Sequence, residues 1–270
     1  MSLYAVVGNP IEHSKSPQIH QLFAEQTGQD LEYLAIKVEV GGFAAFISKY
    51  FADGGKGLNV TVPFKEAAFA LADYHAPRAA LAKSVNTLFI GDEETLHGDN
   101  TDGIGLVNDL QQNNSVSIQG NRILMLGAGG AIRGALAELV NHQPASITIL
   151  NRTLSKAEQL VSEFGGLIDM RARDYGSFDE TEFDLIINGT SLSLTGELPE
   201  LEKSVLAGNT CCYDMMYGIE DTVFVAWAKH NGAALALDGL GMLVEQAAVS
   251  FSIWRGVHPD TAPVIAALRP

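Results

Sequence analysis

Cysteine is nearly absent from this 270-residue chain: there are two, and they are neighbours, Cys211 and Cys212. Adjacent cysteines in an apolar run are poorly placed to bridge each other, and two are too few for a disulfide framework or a zinc site. Basic residues are also scarce, with 17 Lys and Arg against 32 Asp and Glu, a formal net charge of −15. That balance argues against nucleic acid as a partner, because such affinity rests on neutralising phosphates with Lys and Arg. An anionic ligand must then be held by local donors rather than by a global field. No apolar stretch approaches the length needed to span a bilayer. The chain opens on the strand-like run Met1-Ser2-Leu3-Tyr4-Ala5-Val6-Val7-Gly8 without a basic leader. The expectation is a cytoplasmic, reduced protein with no membrane partner and no metal.

What is present is ordinary globular material, 47% hydrophobic and 18% charged, enough for one large domain or two modest ones. The first hundred residues alternate strand-like and helix-like segments. Strands are expected at Leu3–Val7, Tyr33–Val38, Leu58–Val62 and Val85–Ile90, and helices at Pro17–Thr27 and Phe43–Phe51. The polar turn Gly91-Asp92-Glu93-Glu94 reads as a hairpin leading into Leu96-His97-Gly98. A second α/β unit begins near Gly103, with a helix over Ile104–Leu110 and a continuous apolar run, Arg122–Leu126, suited to a central parallel strand. A helix at Ile132–Val140 and strands at Ile147–Leu150 and Asp184–Ile187 continue the alternation. Near the end, Leu240, Leu243, Val244, Ala247, Ala248, Phe251 and Trp254 recur at helical spacing and form one apolar stripe. The fold class is therefore α/β.

Three segments carry chemistry. In Asn59-Val60-Thr61-Val62-Pro63-Phe64-Lys65, strand alternation points Asn59 and Thr61 one way and Val60 and Val62 into a core. Pro63 should stop the strand. Lys65 then begins a short helical pattern, Glu66–Tyr74, where a cation faces the positive end of the helix dipole. In the second segment, Gly127-Ala128-Gly129-Gly130-Ala131 follows a buried strand and opens a helix, the context a dinucleotide fingerprint requires. Ile132 holds the third fingerprint position, where Gly or Ala is usual. The next strand ends in Asn151-Arg152-Thr153-Leu154-Ser155-Lys156, without the acid that would accept from a ribose 2′-hydroxyl. Arg152 and Lys156 can both reach a 2′-phosphate, with Thr153 as a hydroxyl donor or helix N-cap, and this favours NADP over NAD. The third segment runs from Gly8 to Pro17, where Ser16 suits a helix N-cap and Pro17 the first helical position. Such a helix start, flanked by the Ser14 and Ser16 hydroxyls, is also a carboxylate site.

Taken in order, Gly8-Asn9-Pro10-Ile11, His13-Ser14-Lys15-Ser16-Pro17, Asn59–Lys65, Val85-Asn86-Thr87-Leu88 and Asn100-Thr101-Asp102-Gly103 resemble the shikimate dehydrogenase family. So do Gly127–Ala131, Asn151-Arg152-Thr153, Tyr213-Asp214-Met215-Met216-Tyr217 and the run Asp238–Ala248. The resemblance implies NADP-linked, reversible reduction of 3-dehydroshikimate to shikimate, a step of aromatic amino-acid biosynthesis. It implies two α/β domains around a cleft: residues 1–102 plus 239–270 as the substrate-binding, catalytic domain and 103–238 as a Rossmann-type NADP domain. The chain would cross between them near Thr101–Gly103 and Asp238–Gly239, acting on its small-molecule substrate as a monomer or homodimer. By the same resemblance Ser14 and Ser16 hold the substrate carboxylate. Asn59, Thr61, Lys65, Asn86, Asp102 and Gln246 hold its ring hydroxyls, with Tyr217 a further substrate-side candidate. Gly127, Ala128, Gly129, Gly130 and Ala131 cradle the pyrophosphate, and Asn151, Arg152, Thr153 and Lys156 the adenosine 2′-phosphate. Thr190, Met215, Gly239 and Met242 line the path from adenine to nicotinamide. Two departures stand out. Val223 replaces the usual proline of Thr-Pro-Phe, and Asn188–Leu194 lacks the glycine usual soon after Thr-Ser.

The family's usual pairing makes Lys65 the acid/base and Asp102 its positioning partner. An ammonium near the reacting oxygen stabilises developing negative charge and can carry the proton. His13 and His97 are weaker candidates, lying outside the stretch of ring-facing polar residues. Two other readings remain open: a quinate/shikimate dehydrogenase with relaxed cofactor use, and a nucleotide-binding regulatory module without catalysis. Lys65, Asp102, Asn86 and Gln246 together count against the second.

Overall fold

The computed structural model describes residues 1–269, so Pro270, the last residue of the expected substrate domain, lies outside them, as does the side chain of Leu194. In chain order the first elements are β1 (Ser2–Gly8), α1 (Ser16–Thr27), β2 (Leu31–Lys37), α2 (Phe43–Ala52), β3 (Gly57–Val60), α3 (Lys65–Leu71), β4 (Tyr74–His75), α4 (Pro77–Ala82), β5 (Thr87–Ile90), β6 (Leu96–Asp99) and α5 (Asp102–Asn108). Then come β7 (Arg122–Leu126), α6 (Gly130–Leu139), β8 (Ser146–Leu150), α7 (Leu154–Phe164), β9 (Met170–Arg173) and β10 (Phe183–Asn188). The chain closes with β11 (Leu206–Asp214), α8 (Val223–His230), β12 (Leu235–Leu237), α9 (Leu240–Arg255) and α10 (Ala262–Leu268). Contacts divide it into two compact units, Met1–Gly105 with Val244–Arg269, and Leu106–Leu243.

The first unit holds a mixed six-stranded sheet in the order β2-β1-β3-β5-β6-β4. β1 runs parallel to β2 and β3, whereas β5 is antiparallel to both β3 and β6, the hairpin expected around Gly91. β3 is buried along its whole length, so both of its faces must be covered. Leu58 and Val60 join a core with Ala5, Val7, Phe43, Ile47 and Phe64. Asn59 emerges on the opposite face, toward Tyr33 and Ser250. Phe23 and Phe251, both at 0% exposure, pack edge to face nearby, and burying each stabilises by about 1.5–3 kcal/mol.

Two expectations fail here. β3 ends at Val60, and Val62 is 66% exposed rather than in the core. The chain turns at Thr61, whose carbonyl accepts from Phe64 N–H at 2.9 Å, and it is Phe64 that enters the core, stacked on Phe43. The helix after it also stops early, at Leu71, and Tyr74 pairs with His97 in a two-residue strand instead.

Beneath Asn59 lies His20, 1% exposed, lying flat on the Tyr33 ring at 4.1 Å and 7°. Neither ring nitrogen has a hydrogen-bond partner. Burial pushes its pKa down to about 3, an effect the nearby Asn59 only partly offsets. Below pH 6.5 the unfolded chain therefore binds a proton that the folded chain refuses, and stability falls with pH at about 1.4 kcal/mol per unit from this group alone. Urea midpoints at pH 7 and pH 5 should show the parent losing about 2 kcal/mol more than a His20→Phe variant. Equal losses would show that His20 takes up its proton in the folded state.

The second unit is a six-stranded sheet, β12-β11-β10-β7-β8-β9, with every neighbouring pair parallel. Ile123, Leu124, Met125 and Leu126 are all at 0% exposure, as a central strand covered on both faces requires. Strand order reverses direction between β7 and β10, and ligands of such sheets bind outside the carboxyl ends at that switch point. The glycine turn follows β7, and the Asn188–Leu194 loop follows β10. Among the described residues, no helix is long and apolar enough to cross a membrane.

Candidate active site

In the first unit Lys65 opens α3 and Asp102 opens α5. Lys65 Nζ donates to Asp102 Oδ2 at 2.5 Å, with the side chains 29% and 12% exposed. The partner carboxylate answers the electrostatic awkwardness of a lysine at a helix start. Asp102 is held in turn. Asn86 Nδ2 donates to its Oδ1 at 2.8 Å, and its own backbone N–H donates to Asn100 Oδ1 at 3.1 Å. Asn86 Oδ1 accepts from the backbone N–H of Thr101 at 2.9 Å and from the Thr87 hydroxyl at 2.9 Å. A backbone donor on one side and a carboxylate on the other fix which way the Asn86 amide points. Gln246, on α9, brings its Oε1 to 3.3 Å from Asn86 Nδ2. The structure thus assembles Lys65, Asn86, Asp102 and Gln246 into one network.

Asn59 stands behind this group, its amide engaged by protein partners. Its Nδ2 donates to the Asn86 carbonyl at 3.1 Å, Thr87 Oγ1 at 3.2 Å and Ser250 Oγ at 3.1 Å, and its Oδ1 accepts from the Tyr33 hydroxyl at 2.7 Å. Thr61 is half-buried beyond the strand end. Thr87, Thr101 and Ser250 belong to the network without having been singled out. The Asn100-Thr101-Asp102 string was a signal for the second of them, and a serine inside the apolar stripe of α9 for the third. His13 is exposed, and His97 bonds Thr95 and stacks on Tyr74, so neither joins the group.

Ser14 and Ser16 lie at the start of α1, half-buried and 8% exposed respectively. Ser16 is not the N-cap. Lys15 holds that position with helical dihedrals, Ser16 is the first helical residue, and no side chain caps the helix. Ser14 Oγ instead accepts from Ser16 N–H at 3.3 Å.

In the second unit Gly127 adopts φ +102°, a conformation that favours glycine, and Gly129 precedes α6 with no side-chain cap. A Cβ placed on Gly129 or Gly130 would meet nothing within 4 Å, so the turn leaves open space beside a helix start without a side-chain cap. Such N–H groups suit a diphosphate. Ala128 and Ala131 flank these glycines, partly exposed. The unusual Ile132 is fully buried, and Gly189 makes room for it: a Cβ there would lie 2.4 Å from Ile132 Cδ1. Arg152, Thr153 and Lys156 are exposed at the start of α7, and no residue among those described pairs with either cation. Thr153 occupies the N-cap position, but its hydroxyl caps nothing; Asn151 Nδ2 donates to the Thr153 carbonyl at 2.8 Å. Thr190 is half-buried in the loop after β10, and Met215 follows β11, 7% exposed. Gly239 and Met242 are buried where α9 begins, and Tyr217 is half-buried, its phenol pushed up by burial.

Comparison with known proteins places these features in one lineage. Residues 6–88 match the family model described as the shikimate dehydrogenase substrate binding domain, 109–195 that for shikimate / quinate 5-dehydrogenase, and 239–269 that for the shikimate 5′-dehydrogenase C-terminal domain. The NADP(+) shikimate dehydrogenase of Hahella chejuensis is 55% identical over 269 residues, covering 100% of this chain and 99% of its own. That of Alkalilimnicola ehrlichii is also 55% identical over 269 residues, covering 99% of this chain and 98% of its own. Among solved structures, the Ael1 enzyme from Pseudomonas putida superposes with a TM-score of 0.95 at 43% identity, covering 100% of this chain and 99% of that one.

Proposed function

Because the chain belongs to the shikimate dehydrogenase family, we propose that it catalyses the reversible, NADP-linked reduction of 3-dehydroshikimate to shikimate in aromatic amino-acid biosynthesis. The observation that carries this is the Lys65–Asp102 pair, 2.5 Å apart and braced by Asn86. When bound, the nicotinamide supplies or accepts the hydride at C3. In the reducing direction the Lys65 ammonium meets the negative charge developing on the C3 oxygen and gives it a proton; in reverse the amine takes that proton back. Asp102, an acceptor on both oxygens, keeps Nζ aimed and leaves its other hydrogens for the substrate. Thr61, Asn86 and Gln246 offer further polar groups to the ring hydroxyls, and Ser14 and Ser16 offer hydroxyls to the carboxylate. Tyr217 remains a substrate-side candidate.

The second unit supplies the cofactor's seat. The open turn Gly127–Ala131 takes the pyrophosphate, Asn151, Arg152, Thr153 and Lys156 take the 2′-phosphate, and Thr190, Met215, Gly239 and Met242 line the remainder. A cytoplasmic monomer or homodimer fits a biosynthetic dehydrogenase of this family.

The test is the absorbance of NADPH on mixing the protein and NADP with shikimate, with quinate, and with neither. Shikimate-dependent reduction is the expected result. Comparable reduction with quinate would move the chain to the quinate/shikimate class, and cofactor binding without turnover to a non-catalytic module.

A further inference from the structure

Asp214, the last residue of β11, is fully buried, and among the described residues no cation is one of its partners. Its carboxylate instead collects four donors. Oδ1 accepts from Asn188 Nδ2 at 3.1 Å and from the backbone N–H of Met216 at 3.0 Å. Oδ2 accepts from Ser193 Oγ at 2.7 Å and Thr222 Oγ1 at 2.6 Å. These donors belong to three separate segments: the end of β10 with the loop after it, the loop after β11, and the N-cap of α8, where the Thr222 hydroxyl also accepts from Val225 N–H at 3.2 Å. A carboxylate without a counter-ion is costly to bury unless its lone pairs are filled, so losing one donor is felt by the others. Burial pushes its pKa up, and the bonds from Thr222, Ser193, Met216 and Asn188 pull against that rise.

The first of the three segments lies beside the cofactor's proposed seat. Asn188 Oδ1 holds Thr190 twice, by its N–H at 3.1 Å and its hydroxyl at 2.7 Å. A Cβ on Gly127 would lie 3.3 Å from Thr190 Cγ2, so Thr190 packs directly on the glycine turn. Asn188 fixes the near end of the loop through Thr190. Its far end is tied by Ser193, whose hydroxyl donates to Asp214 and accepts from Asn188 Nδ2 at 3.3 Å. Ser193 falls in the stretch where the chain departs from the family pattern, and neither it nor Asp214 belongs to the proton-transfer network of the first unit.

We propose that the Ser193–Asp214 hydrogen bond is a latch that orders the loop from Gly189 to Ser193 against the glycine turn, making both residues positioning residues for NADP. An ordered loop binds more tightly because less conformational freedom remains to be lost when the ligand arrives. The proposal rests on the NADP reading of the second unit. It assigns no group to the chemistry, so its signature is a change confined to the cofactor.

The test is calorimetric titration of NADP into the full-length protein without substrate, alongside steady-state kinetics and melting curves, for the parent, Ser193→Ala, Ser193→Thr and Asp214→Asn. Ser193→Ala should weaken NADP binding roughly three- to tenfold, the net scale of one ordinary intramolecular hydrogen bond. It should raise the KM for NADP in step, while the KM for shikimate and kcat at saturation stay within about twofold. Ser193→Thr keeps a hydroxyl and should restore binding. Asp214→Asn should weaken NADP binding further, since it removes an acceptor from two loops at once. An unchanged NADP affinity in Ser193→Ala at a temperature where it is folded overturns the latch, as does a parallel rise in the KM for shikimate. A parent that fails to bind NADP overturns the cofactor assignment itself, a result distinguishable from the first two.

Discussion

Lys65→Met is expected to lower turnover by roughly two or more decades while shikimate binding changes far less, because positioned acid–base catalysis is worth about 10²–10⁴-fold. Methionine keeps the unbranched stem and loses only the charged head, so the half-exposed position tolerates the change sterically. What remains is an Asp102 carboxylate, still held by Asn86 Nδ2 at 2.8 Å but without a proton to deliver. Water reaches a side chain that is 29% exposed in the parent, so residual activity through solvent should persist rather than vanish. Asp102→Asn is the informative companion. It preserves shape but replaces one acceptor by a donor, which would face either the Lys65 ammonium or the Asn86 amide. Both variants should melt near the parent temperature, and single-turnover hydride transfer should fall as kcat does. Near-normal turnover in Lys65→Met would remove this lysine from the chemistry.

Arg152→Ala should raise the KM for NADP by roughly 10- to 100-fold, the range of a charge-assisted hydrogen bond worth about 1.5–3 kcal/mol, and leave NAD kinetics almost untouched. An arginine already engaged by a carboxylate would have little to offer a phosphate, but Arg152 is exposed and pairs with no acid among the described residues. The acid that would favour a free ribose hydroxyl is missing from the end of β8, where Leu150 is followed by Asn151. Its planar fork suits a phosphate better than an ammonium would, so Lys156→Ala should act in the same direction and less strongly. Screening supplies a second check, since added salt should weaken NADP binding more than NAD binding. Equal effects of Arg152→Ala on the two cofactors would sink the 2′-phosphate assignment.

Much of the second sheet could be read in advance because its strands are short unbroken apolar runs. β7 falls on Arg122–Leu126 as expected, and β10 and β8 differ from expectation by a residue or two. β11 escaped because its first half, Leu206-Ala207-Gly208-Asn209-Thr210, has no period, and the register with β10 shifts there. α4 and α10 are six and seven residues long, too short for a helical stripe to declare itself. The Lys65–Asp102 pair was accessible from motif and resemblance, whereas the place of Asn59 was not. Alternation alone sends it to the same side as Thr61, and only the packing of α9 decides that this side is closed over Asn59 by Ser250. Likewise Ile132 looked like a defect in the fingerprint until Gly189, 57 positions later by residue number, supplied the missing volume.

The two adjacent cysteines excluded a disulfide framework at the outset, and their place in β11 makes them useful in another way. Cys211 is 4% exposed and Cys212 fully buried, and burial pushes both thiols up to about 12. A thiol so buried and so reluctant to ionise is inert to alkylating reagents, which attack the thiolate. The folded protein therefore carries a silent pair of labels in its parallel sheet, one strand in from the β12 edge. Their reaction with a maleimide or disulfide reagent would time the opening of that sheet without any substitution, and a single cysteine introduced on a surface loop would be the only site a fluorophore could reach.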